Sequence, residues 1–193
     1  MIADWTVDVG PESPLIAVPW EGWIDLRLHA GTLLSIPNLP EVRAYPELGD
    51  LLQSANTAEI STSKVDVFPV TREEVDPEIA ESGQEQTAAG LGSYLDLVAI
   101  DPGRFVAFED FERVAREAAR TLSRTNLPLC CAEVVVRPAR LYDRNTFGWT
   151  LYAVGFGPDE QAARATWSQA ATVLVDTFNQ ALLPEQVGAN RGE

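Results

Sequence analysis

The 193-residue chain is predicted to form a single α+β domain: a mixed sheet of five or six strands with about three helices packed on one face. Three observations carry this. Several segments alternate apolar and polar residues with period two, as half-buried strands do. Others repeat apolar residues every three or four positions, as a helix lying on a core does. A chain of this length buries about 70% of its extended surface, so no metal or disulfide is needed to hold it together.

Taken in order, Ile24, Leu26 and Leu28 share one face of a strand expected over 20–29, and Asp25, Arg27 and His29 share the other. A proline-rich stretch follows. Leu48, Leu51, Leu52 and Ala55 then mark a helix, with Pro46 suited to its first turn. Residues 62–69 return to strand character, with Val65 and Val67 on one face. The stretch 71–92 holds Glu73, Glu74, Asp76, Glu78, Glu81 and Glu85 against Arg72 and ends in Gly90 and Gly92. It is expected to be an exposed acidic connection.

The second half is more sharply patterned. Residues 93–100 are predicted to form a strand. In 109–124, Phe111, Val114, Ala115, Ala118 and Leu122 define a helical face, supported by Glu109–Arg113 and Glu112–Arg116 at i,i+4 spacing. A valine-rich strand over 129–137 is expected to stop at Pro138. A polar turn follows over 142–146, then a strand over 147–156. Pro158 opens a long helix whose face is Ala163, Trp167, Ala170, Leu174, Phe178 and Leu182. Trp149 and Trp167 fall on core faces. Trp5 and Trp20 are the candidates for exposure or for a contact between copies of the chain, so a homo-oligomer is among the expected partners. Residues 188–193 are expected to be loose.

An echo runs through the pattern. Trp23-Ile-Asp-Leu matches Tyr94-Leu-Asp-Leu, and Lys64-Val-Asp-Val-Phe-Pro matches Glu133-Val-Val-Val-Arg-Pro, at nearly equal offsets. It suggests a duplicated strand–helix–strand unit, 22–69 and 93–138.

Charge narrows the partners. With 14 Lys+Arg against 29 Asp+Glu, the formal net charge is -15. That argues against a nucleic acid or an anionic membrane and favours a basic protein. The first ten residues carry Asp4 and Asp8 and no positive charge, and no apolar run approaches 18 residues. No secretory leader or membrane span is expected. Cys130 and Cys131 are adjacent, would point to opposite faces of a strand, and fit a reduced cytoplasm.

Catalytic motifs are scarce. His29 is the single histidine, so a several-histidine zinc site is excluded within one chain, and no Gly-x-Ser-x-Gly elbow presents a serine. Gly155-Phe-Gly-Pro-Asp-Glu lies where a strand meets a helix, but Asp159 and Glu160 would repel a phosphate there; it reads as a turn and helix start. No cofactor, metal ligand or catalytic residue is assigned. The expected function is that of a non-catalytic cytoplasmic binding protein of the immunity, adaptor or chaperone-like kind. Its binding residues are Asp25, Arg27, His29, Asp66 and Asp96, and its docking segment is Glu73, Glu74, Asp76 and Glu78. The alternative is a carboxylate-dependent hydrolase using Asp25 and Asp96.

Overall fold

A computed structural model of the chain describes residues 1–21, 23, 24, 26, 35–71, 88–101 and 103–183. Its strands are β1 (Ile2–Val7), β2 (Ile16–Val18), β3 (Ile60–Val70), β4 (Ala89–Ala99), β5 (Cys130–Leu141) and β6 (Arg144–Gly157). Its helices are α1 (Pro40–Ala44), α2 (Glu47–Ala55), α3 (Phe108–Leu122) and α4 (Glu160–Leu182), with a 3-10 turn at Ile36–Asn38. The strands form one mixed sheet in the order β1-β5-β6-β4-β3, and β2 also pairs with β5. This is the α+β sheet with packed helices that the periodicities predict.

β5 and β6 form a hairpin, and β6 and β4 are antiparallel, so β4 and β5 run the same way on either side of β6. Helix α3 connects them. β1 and β2 add in parallel to the outer side of β5, and β3 pairs antiparallel with β4.

Alternation along the strands divides the residues between two faces. Trp5, Val134, Leu151, Leu95 and Val65 stand in register on one face, under the helices. There they join Phe111, Val114, Ala115 and Ala118 of α3 and Trp167, Ala170, Leu174 and Phe178 of α4 in one core. Trp149 lies at its centre, with rings of Phe111, Phe105 and Phe178 at 4.7, 5.3 and 5.2 Å and its Nε1–H on the Phe111 carbonyl at 3.0 Å. Asp110 starts α3 by accepting the N–H groups of Val106 and Ala107, and Asp159 starts α4 by accepting that of Ala162. Arg164 of α4 grips Glu47 of α2 through two bonds of 2.8 and 2.7 Å.

The two edges are finished alike. On β1, the N–H of Trp5 donates to Asp4 Oδ1 at 2.7 Å; on β3, the N–H of Val67 donates to Asp66 Oδ1 at 2.8 Å. Pro69 follows two residues later with no N–H to offer.

Four expectations need correction. The acidic connection expected to reach residue 92 ends sooner, because residues 89–92 already pair with β6 as the start of β4. β5 does not stop at Pro138 but runs on to Leu141. The Val136 carbonyl accepts from Asp8 on the β1 side. The nitrogen of Pro138, two residues on, points the same way, into the gap between β1 and β2 where no partner needs it. The turn expected over 142–146 is only Tyr142 and Asp143, because a positive φ of 52° at Tyr142 lets two residues reverse the chain. Finally, Trp23, Ile24 and Leu26 lie in no strand; Leu26 is buried and Ile24 is exposed. The indole of Trp20 instead donates to the Ser63 carbonyl of β3 at 3.0 Å. Residues 22, 25 and 27–29 of the strand expected at 20–29 lie outside the described residues; the first arm of the echo is described at 23, 24, 26 and from 35 onward, where it holds α1, α2 and β3. Its second arm corresponds to β4-α3-β5.

Candidate functional site

The face of the sheet that is helix-free among the described residues is built from the opposite parity. At its hairpin end a small second core covers it, formed by Ile16, Val18, Val98, Ala139 and Leu141 with Trp23 and Ile100. Beyond that core no described helix lies on the face, and the strand register sets its residues in rows.

The first row is polar. Thr150 is fully buried; its hydroxyl donates to Asp96 at 2.6 Å and accepts from Arg137 at 3.3 Å. Arg137 also faces Asp8 at 3.5 Å. Lys64 is the register partner of Asp96. Burial holds the Asp96 carboxyl above its ordinary value, and the Thr150 hydrogen bond, Arg137 and Lys64 oppose that only in part.

The second row crosses the whole sheet: Asp4 (β1), Glu133 (β5), Tyr152 (β6), Tyr94 (β4) and Asp66 (β3). The two tyrosine rings lie 6.1 Å apart. Each already carries a cation of the same chain, Lys64 Nζ 5.6 Å from the centre of Tyr94 and Arg137 5.6 Å from that of Tyr152. The third row, Ile2, Cys131, Val154, Gly92 and Phe68, is apolar.

Of the residues singled out from sequence, Asp66 and Asp96 do share this face. Asp25, Arg27 and His29 lie outside the described residues, as do Glu73, Glu74, Asp76 and Glu78. Trp20 is 43% exposed and Trp5 is half-buried against the core. Cys130 and Cys131 point to opposite faces as expected; burial pushes the Cys130 thiol up to about 11. No group of three or more potential metal ligands occurs among the described residues. No described helix is long and apolar enough to cross a membrane.

Sequence reading missed Tyr94, Tyr152, Phe68, Thr150, Arg137 and Glu133. Their signal was present: each lies one position from a core residue of its strand, where Leu95, Trp149, Leu151, Val134 and Val136 fix the parity. Assembling them needs the strand order as well, which alternation does not contain.

The raised carboxyl gives a prediction. A carboxylate whose folded value is raised stabilises the fold below its unfolded value of about 3.8, and loses that contribution as pH rises through the folded value. Ionised Asp96 is therefore a cost at neutral pH. Asp96→Asn keeps an acceptor for Thr150 and should raise the melting temperature at neutral pH. The gain should vanish in acid. A lower melting temperature at neutral pH would show that Lys64 and Arg137 depend on the charge more than its burial costs.

No protein-family model, curated protein or solved structure matches this chain.

Proposed function

We propose that the chain is a non-catalytic binding protein whose helix-free sheet face receives a basic protein partner. One observation carries this reading: the row Asp4, Glu133, Tyr152, Tyr94 and Asp66, three carboxylates and two aromatic rings, which outnumber the flanking Lys64 and Arg137 and span roughly 19 Å at ordinary strand spacing. Aromatic faces and carboxylates together attract ammonium and guanidinium groups. The net charge of -15 would steer such a partner from a distance. The acidic segment Glu73, Glu74, Asp76 and Glu78 would add to the same field.

Titration of the isotope-labelled chain with an arginine-rich peptide tests this. Amide shifts should centre on Asp4, Asp66, Tyr94, Glu133 and Tyr152, and Tyr94→Ala with Glu133→Lys should weaken binding by roughly tenfold or more. Shifts spread over the helix acids Glu109, Glu112 and Asp176, unaltered in that variant, would remove the reading.

The hydrolase alternative, using Asp25 and Asp96, draws on the buried Asp96 carboxyl, which is raised from its ordinary value in the direction a general acid requires. Turnover of an aryl glycoside that disappears in Asp96→Asn would favour it over binding.

A further inference from the structure

Next to the carboxylate–tyrosine row the open face sinks into a trough of about 540 Å³, within the span of roughly 300–1,000 Å³ common for ligand sites. Ile2 and Asp4 line one side and Phe68 and Val70 the other, with Tyr152 and Val154 between them. Phe68 leans inward over Gly92, where its ring comes within 2.8 Å of the position a Cβ would take. The walls are therefore largely apolar, and one is aromatic.

The ionisable lining is one-sided. Asp4 and Glu133 both border the trough, and among the described residues no lysine or arginine does. The two acids are register partners on adjacent strands, where like charges in register destabilise a sheet. Among the described residues neither is ion-paired to a base. Each has one oxygen already fixed: Asp4 Oδ1 by the Trp5 N–H, and Glu133 Oε1 by the Thr6 hydroxyl at 2.8 Å. That orients both carboxylates and leaves the second oxygen of each for an incoming donor.

Resting on the function proposed above, we infer that the trough holds one arginine side chain of the basic partner. Its methylene stem lies against Ile2, Val154 and Phe68. Its guanidinium reaches Asp4 and Glu133 beside the Tyr152 ring. Arginine fits better than lysine because a planar, forked and weakly hydrated cation can serve two carboxylates at once. The site also relieves the repulsion between the two acids, which a neutral ligand would leave in place.

The test uses two peptides of equal length and charge, one arginine-rich and one lysine-rich, titrated into the full isotope-labelled chain at low salt. The arginine peptide should bind roughly tenfold more tightly and move the amides of Ile2, Phe68 and Val154. Asp4→Asn and Glu133→Gln, near-isosteric changes, should each shrink that preference. Val154→Trp, which fills the floor, should abolish it while the lysine peptide still perturbs Tyr94 and Asp66. Equal affinities with shifts confined to the tyrosine row would overturn the arginine trough and leave the docking face standing. No perturbation of this face by either peptide would overturn both.

Discussion

Gly155→Ala is expected to destabilise the fold by at least about 3 kcal/mol, the upper end of ordinary overpacking costs. A Cβ there would collide with the backbone nitrogen of Trp167 and stand 2.5 Å from its Cα. Helix backbone cannot swing aside as a side chain can, so α4 would have to lift off β6. A Cβ on Gly157, two residues on, would stand 2.5 Å from the Ala163 nitrogen. The two glycines let the longest helix lie directly on the longest strand, bringing Trp167 and Phe178 into the core. Gly10→Ala is the control, since its nearest neighbour is Ser13 Oγ at 3.6 Å. Denaturant melts should separate the two variants clearly; a Gly155→Ala protein as stable as the parent would mean that α4 does not sit where described.

Trp149→Ala should cost about 3–5 kcal/mol, the usual range for emptying a buried aromatic site. The side chain is fully buried, touches rings from α3, α4 and the segment before α3, and donates to the Phe111 carbonyl. Three elements thus lose one shared contact. Trp149→Phe should be milder, keeping much of the packing and giving up the hydrogen bond, worth about 1 kcal/mol. Urea melts of the two variants check the order. Equal losses would mean that the indole N–H matters more than the ring.

What the sequence disclosed follows from these contacts. Helices α2, α3 and α4 were legible because each lays one apolar stripe on a common core. The five residues of α3 that its spacing selects, Phe111, Val114, Ala115, Ala118 and Leu122, are all buried, and Ala119 joins them. β5 and β6 were legible from alternation. The segment 20–29 shows the limit of that signal. Ile24 and Leu26 alternate as strand residues do, yet Leu26 joins the main core and Ile24 is exposed. Alternation makes a strand admissible, but only a free partner makes one form. Gly155 and Gly157 suggest a turn, since a glycine required by a helix crossing above it looks the same in sequence as one required by a bend. The open face was half legible. Asp66 and Asp96 stood out as charges on the side of the strands away from the core. Tyr94 and Tyr152 did not, because a tyrosine in a strand reads equally well as core. Their neighbours on the face come from strands far apart in sequence, so no local spacing records the row.

The capped margins of the sheet bear on how molecules of this protein meet. A neighbouring chain laid alongside β1 at Trp5 or β3 at Val67 would find the amide hydrogen already engaged, and at Pro69 none at all. Stitching into ribbons or fibrils is thereby discouraged at both rims. Main-chain pairing along either border is made less favourable, while the broad side of the sheet carries no such obstacle.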